Sequence, residues 1–180
     1  PFNFEEKVTK FRLEPGVLYD SFSLDDYVPP AGELTQHMFQ QHVGASDFRG
    51  RKKSFAETNV ITGGMIPLSR QFTVEKISPS LTYSHKLLDE FLHYTTLTFS
   101  TAVTECNLGN LYHLSCMKVK NSFNWVTLEG GMDFRYTITV SPTAAKAFHQ
   151  FKRTKYQFWK GYRPPVSLFI HLDGVYRLPV

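Results

Sequence analysis

MDFRYTITVSP, residues 132–142, contains the two signals that decide the fold. Apolar and polar side chains alternate from Met132 to Val140, which is the period of a strand with one buried face. Ser141 and Pro142 then form a helix start, because a hydroxyl can cap the first turn and proline is favoured at the first helical position. A half-buried strand that leads directly into a helix predicts an α+β domain.

Regular patterns extend from this stretch toward both ends of residues 70–180. Strands are predicted from alternation and β-branched content, and one helix from an apolar stripe at helical spacing. The predicted elements are a strand at Arg70–Ile77, a helix at Ser84–Tyr94, a strand at Leu97–Glu105, a turn at Asn107–Asn110, strands at Leu111–Lys120 and Phe123–Leu128, a helix from Ser141 through Phe151, and a hairpin of Val166–Leu172 with Val175–Val180. Asp173-Gly174 is the hairpin signal. Residues 70–180 are therefore predicted as a globular domain, an antiparallel β-sheet meander with two short helices.

Residues 1–69 have little periodicity and many glycine and proline breakers. A helical turn is predicted between Glu33 and Val43, and the rest is interpreted as an extended N-terminal arm and loops. Acidic residues outnumber basic ones in residues 1–33, although the whole chain has a net charge of +4. An acidic leader on a basic body predicts a polyanionic partner or contact between copies, so this arm is a candidate self-association segment.

The strongest functional signal is residues 146–163, KAFHQFKRTKYQFWKGYR, which contain no Asp or Glu. Its cations are attracted to phosphate, and its aromatic rings can stack on bases or lie at a membrane interface. A second basic run, RGRKK, spans residues 49–53. The alternative interpretation of the first stretch is an amphipathic segment with core aromatics and solvated charges.

No catalytic or metal-binding pattern stands out in the sequence. Nucleophile-elbow, phosphate-loop, dinucleotide-binding and zinc-protease motifs are absent, and the seven histidines are scattered. The prediction is therefore a protein that is not an enzyme, with no cofactor and no metal site. A site assembled across the fold, in an enzyme or a viral accessory factor, stays open as a further alternative. The two cysteines, Cys106 and Cys116, are too few for a disulfide framework and favour a reducing compartment.

Two tripeptide motifs and the order of the predicted helices and strands resemble the globular domain of rhabdovirus matrix proteins. Phe72-Thr73-Val74 corresponds to a strand of that family, and Thr82-Tyr83-Ser84 to the start of its amphipathic helix. A meander, a short alanine-containing helix at Thr143–Phe151 and a closing hairpin follow. The resemblance covers residues 70–180 and is mostly architectural.

The resemblance implies a non-enzymatic viral structural protein that self-associates and bridges anionic membrane and ribonucleoprotein during assembly and budding. Its expected partners are further copies of itself, the viral ribonucleoprotein or RNA, and the inner leaflet of an anionic membrane. Its expected location is the virion, the host cytoplasm and the inner face of host membranes. The run Arg49–Lys53 is also compatible with nuclear import.

The candidate residues for membrane or nucleocapsid contact come from the two basic runs. They are Arg49, Arg51, Lys52, Lys53, Lys152, Arg153, Lys155, Trp159, Lys160 and Arg163. By the same resemblance, the candidate self-association residues are Tyr27, Pro29 and Pro30. Their order, Tyr-Val-Pro-Pro, reverses the Pro-Pro-x-Tyr budding motif of the family, which argues against recruitment of a host budding factor here. The alternative interpretation is a polyproline-like linker.

The alternative function is a nucleic-acid-binding protein such as a small viral capsid protein. In that case Tyr156, Phe158, Trp159 or Tyr162 would stack on bases while neighbouring cations neutralise phosphates.

Overall fold

The computed structural model describes residues 10–27, 33–46, 50–116, 126–153 and 166–179. These ranges contain eight strands and four helices, and the strands pair antiparallel, which confirms the predicted α+β class with antiparallel sheet. The elements are β1 (Phe11–Ser23), α1 (Leu24–Tyr27), β2 (Leu34–Met38), β3 (Gln71–Leu81), α2 (Lys86–His93), β4 (Thr95–Thr101), β5 (Glu105–Asn110), α3 (Leu111–Cys116), β6 (Val126–Glu129), β7 (Phe134–Val140), α4 (Pro142–Phe151) and β8 (Ser167–Pro179).

The stretch that decides the fold behaves as predicted. Phe134, Tyr136, Ile138 and Val140 of β7 are buried, and Arg135 on the opposite face is exposed. Helix α4 begins directly afterwards, because the Ser141 hydroxyl accepts a hydrogen bond from the Ala144 amide at 3.2 Å. Both predictions from this stretch are confirmed.

The strands form two four-stranded sheets around one apolar core. Sheet A has the strand order β1-β8-β3-β6, and sheet B has the order β2-β7-β4-β5. A single cluster of buried side chains contains members from both sheets and from α2 and α4. The rings of Phe91 on α2 and Phe148 on α4 lie 5.9 Å apart within it. The two helices are therefore fixed to the sheets by their apolar faces.

The N-terminal segment predicted as an extended arm contributes a strand to each sheet. Strand β1 pairs antiparallel with β8 over its whole length, from Phe11 opposite Pro179 to Ser23 opposite Ser167. The helical turn predicted between Glu33 and Val43 is wrong, because Leu34–Met38 is strand β2 and pairs with β7. The described part of the arm is thus hydrogen-bonded to its own body.

The hairpin predicted around Asp173-Gly174 is also wrong, because β8 is one continuous strand between β1 and β3. Gly174 lies opposite Gly16 of β1, and a Cβ atom at Gly174 would lie 2.0 Å from the Thr73 carbonyl oxygen. The glycine therefore permits a close backbone approach inside the sheet rather than a turn. The register of β3 against β8 shifts at the same level, between Val74 and Lys76.

The turn predicted at Asn107–Asn110 is wrong. The strand predicted at Leu111–Lys120 is wrong for residues 111–116, and residues 117–120 lie outside the described residues. Residues 107–110 belong to β5, and the chain reverses earlier, where the Thr101 amide donates to the Thr104 carbonyl at 2.8 Å. Helix α3 follows because the Asn110 side-chain oxygen accepts a hydrogen bond from the His113 amide at 2.7 Å. Leu111 and Leu114, three residues apart, then pack into the core.

Candidate functional site

Helix α4 presents a basic face to solvent. Lys146, His149, Gln150 and Arg153 line one open groove of about 300 Å³. The spacing i, i+3, i+4, i+7 places these four residues on one side of a helix. Lys146 on α4 and Arg153, two residues beyond the end of α4, are exposed. We call these four residues the α4 basic face.

The opposite face of α4 belongs to the core. Ala144, Ala145, Phe148 and Phe151 are buried, as the sequence predicts for this helix. Phe148 and Phe151 are therefore packing residues, and their rings are not available to stack on bases or to enter a membrane. For residues 146–151 of the stretch 146–163, the amphipathic interpretation therefore holds: the aromatic side chains are buried and Lys146 is exposed.

Lys152 connects the end of α4 to another part of the fold. Its ammonium lies 3.4 Å from Asp25 Oδ1 and 5.6 Å from the centroid of the Phe148 ring. The other carboxylate oxygen of Asp25 accepts a hydrogen bond from the Val166 amide at 2.9 Å. Asp25 Oδ1 has no hydrogen-bond donor among the described residues, so Lys152 supplies the opposite charge there. Lys152 is thus partly committed to holding the end of α4 against α1 and the residue that precedes β8.

The second basic run is divided between solvent and interior. Lys52 is exposed, and Arg51 lies 3.4 Å from Glu57 in an ion pair. The Lys53 ammonium instead lies 2.6 Å from Asp20 Oδ1, and only 14% of the Lys53 side chain is exposed. Although the sequence groups Lys53 with the surface cations, its charge is occupied inside the fold, and we leave it out of the candidate surface.

The remaining candidates have no described side chain. Arg49, Lys155, Trp159, Lys160, Arg163, Pro29 and Pro30 lie outside the described residues, and Tyr27 ends helix α1. The structure therefore brings together Lys152 and Arg153 from the list of candidates, beside Lys146. His149 and Gln150 were missed as site residues. Helical spacing from Lys146 and Arg153 would have identified both.

Among the described residues, no group of three or more His, Cys, Asp or Glu side chains is arranged to hold a metal ion. The helices in the described ranges are all too short or too polar to cross a bilayer. No protein-family model, curated protein or solved structure matches this chain.

Proposed function

We propose that this protein is a non-enzymatic structural protein of the matrix type, which self-associates and bridges an anionic membrane and a ribonucleoprotein. The observation that carries the proposal is the α4 basic face, a groove lined by two exposed cations, Lys146 on α4 and Arg153 just after it, while the other face of α4 is fixed in the core. The common chemistry of lipid headgroups and RNA is the phosphate group, which such a face attracts.

The strength expected of this face follows from its charges. Each Lys or Arg near an anionic membrane surface contributes about 1 kcal/mol, so Lys146 and Arg153 together give about 2 kcal/mol. Both side chains are exposed, so added salt screens their attraction to phosphate. Such weak contacts bind usefully when many copies act together, which fits a protein that assembles on a surface.

Charge reversal on the α4 basic face tests the proposal. Lys146→Glu and Arg153→Glu should each weaken cosedimentation with phosphatidylserine vesicles or binding to single-stranded RNA by about 10-fold or more, because each removes one attraction and adds one repulsion. Arg135→Glu is the matched control, since Arg135 is an exposed cation on the outer face of sheet B. It should leave both ligands bound as before.

Comparing vesicles with RNA shows whether the α4 basic face binds lipid phosphates or nucleic-acid phosphates. Loss of RNA binding alone assigns the α4 basic face to the ribonucleoprotein, or to a capsid-like role if vesicles are never bound. Loss of vesicle binding alone assigns it to the membrane. If neither variant differs from Arg135→Glu on either ligand, the proposal is wrong.

A further inference from the structure

Large apolar side chains project into solvent at the end of the molecule where β1 begins and β8 ends. Leu68 is 87% exposed, and Phe11 and Leu13 at the start of β1 are also exposed. A further apolar side chain, Ile61, is 75% exposed and lies farther along β1, in a groove with Leu18. Phe11 and Leu68 line one groove together with Arg70 and Arg177. Ile61 lines an adjoining groove that also contains Arg70. We call Phe11, Leu13, Ile61, Leu68, Arg70 and Arg177 the Leu68 edge.

Two guanidinium groups lie among these apolar side chains. The Arg177 guanidinium lies 3.5 Å from the centroid of the Phe11 ring, and Leu13 is opposite Arg177 in the β1–β8 register. Within the described residues, no carboxylate lies within 4.0 Å of the Arg70 or Arg177 side chain. Glu129 lines the same groove, so cations outnumber acids there. A guanidinium stacked on a ring keeps its N–H edge free for phosphate.

The exposure of Leu68 is fixed by the backbone that carries it. The Arg70 amide donates to the Pro67 carbonyl at 2.9 Å, which closes a turn around Leu68. The Gly131 amide donates to the Ile66 carbonyl at 3.0 Å, and Ile66 itself is buried. These two bonds attach the turn to its surroundings and hold the backbone of Leu68 at the surface.

We propose that the Leu68 edge inserts into the interfacial layer of an anionic bilayer. The protruding apolar side chains would lie between lipid chains, while Arg70 and Arg177 bind phosphates of the headgroups, the arrangement that amphipathic membrane surfaces use. An anionic bilayer fits better than a second protein because the exposed apolar side chains lie beside two guanidinium groups, and no carboxylate of the described residues lies within 4.0 Å of either. This inference rests on the proposed function and assigns its membrane contact.

The position of the edge explains how one chain would bridge two partners. Phe11 and Arg177 lie at one end of the β1–β8 pair, and the contact of Lys152 with Asp25 lies at the other. Thirteen paired residues span roughly 40 Å at the usual rise per strand residue. A membrane on the Leu68 edge would leave the α4 basic face open to the phosphates of a nucleic acid.

Substitution of Leu68 tests the membrane contact. Leu68→Asp should lower binding to phosphatidylserine–phosphatidylcholine vesicles at least fivefold and leave RNA binding unchanged. Val103→Asp is the matched control, because Val103 is 89% exposed on the turn between β4 and β5. Far-ultraviolet circular dichroism should show both variants folded, since neither side chain is buried. Equal vesicle binding by the two variants would overturn the proposal.

An environment-sensitive fluorophore measures insertion directly and separates the two proposals. Leu68→Cys and Val103→Cys would be labelled in a background with Cys106→Ser and Cys116→Ser, because both native thiols are exposed. The emission of the label at position 68 should shift to shorter wavelength on anionic vesicles, also when Arg153→Glu is present, and the emission of the label at 103 should not.

The possible outcomes distinguish the two proposals. Vesicle binding without a shift at 68 overturns the insertion and keeps the matrix-type function. A shift at 68, with neither RNA binding nor vesicle binding sensitive to Arg153→Glu, keeps the insertion and overturns the role of the α4 basic face. If neither vesicles nor RNA are bound, both proposals fail.

Discussion

The ammonium of Lys53 lies 2.6 Å from the carboxylate of Asp20, a residue that is only 2% exposed. The same ammonium donates to the Ser21 carbonyl at 2.9 Å, and the second oxygen of Asp20 accepts from the Phe39 amide at 2.7 Å. Phe39 is buried and has φ 65°, a left-handed conformation that is costly for a bulky side chain. The ion pair therefore joins β1 to two loops and sustains a strained residue.

Removing the Lys53 charge should destabilise the fold strongly. Lys53→Met leaves the Asp20 carboxylate buried without its cation, which costs about 3–5 kcal/mol of the free energy of unfolding. Urea denaturation followed by circular dichroism measures this loss. Lys52→Met, at the exposed neighbour, should change the same quantity by less than about 0.5 kcal/mol.

The double variant Asp20→Asn/Lys53→Met should be more stable than Lys53→Met alone, because no unpaired charge is then buried. An Asn side chain can still accept the hydrogen bond from Phe39. A double variant less stable than the single one would show that the carboxylate is tolerated without its partner.

The capping hydroxyl of α4 should be worth about 1 kcal/mol. Ser141→Ala removes the acceptor of the Ala144 amide, and helix caps of this type lose about that amount of stability on substitution by alanine. Thr143→Ala, at an exposed position in the first turn, is the control and should be neutral or slightly stabilising. Comparable losses in urea midpoint for the two variants would argue against the cap.

Two glycines that face each other in sheet A should tolerate alanine differently. A Cβ at Gly174 would lie 2.0 Å from a backbone oxygen, whereas a Cβ at Gly16 would lie 2.5 Å from the ring of Tyr176. A side chain can move and a paired strand cannot without loss of hydrogen bonds. Gly174→Ala should therefore lower the free energy of unfolding by about 3 kcal/mol or more, the upper end for overpacking, and Gly16→Ala by less. The reverse order in thermal unfolding would contradict this.

The stability of the fold should decline at alkaline pH because of Tyr136. Its hydroxyl is buried without a hydrogen-bond partner among the described residues, and burial raises the pKa of Tyr136 well above its usual range. Above about pH 10 the unfolded chain releases this proton while the folded chain retains it, so the free energy of unfolding falls as pH rises.

Tyr136→Phe should weaken this alkaline decline, and at neutral pH it should be neutral or stabilising by up to about 1 kcal/mol, since it removes an unsatisfied polar group. Urea midpoints at pH 8 and pH 10.5 measure both effects. Tyr94→Phe, at an exposed tyrosine, is the control and should leave the pH dependence as in the parent chain.

Local signals predicted the elements that their own residues determine. Three such signals lie within the elements they predict, and the structure confirms them. They are the alternation of β7, the apolar stripe of α2 and the Ser-Pro start of α4. Helix α2 begins at Lys86, two residues after the predicted Ser84, because the His85 ring caps it by accepting a hydrogen bond from the Leu87 amide.

Elements that depend on distant partners were not predictable from local pattern. Asp173-Gly174 has the composition of a hairpin, but pairing with strands on both sides keeps β8 straight. Lys53 lies in a basic run that is typical of an exposed loop. In the structure it instead forms an ion pair with Asp20, which is distant in sequence and buried. The α4 basic face was predicted in part because it lies on one helix. The Leu68 edge was not, because it joins β1, β8 and the loop before β3.

The place of β8 inside sheet A imposes an order on folding. Asp25 and Val166 are hydrogen-bonded although they are 141 positions apart in the sequence, and among the described strands β1 pairs with β8 alone. During synthesis β1 therefore cannot pair with β8 until nearly all intervening residues have emerged. Until then its hydrogen-bonding edge and the side chains of Leu18 and Phe22 are exposed to solvent. Closure of so long a loop slows folding, and an unpaired strand invites aggregation. A nascent chain of this protein is thus expected to depend on chaperones until β8 has been made.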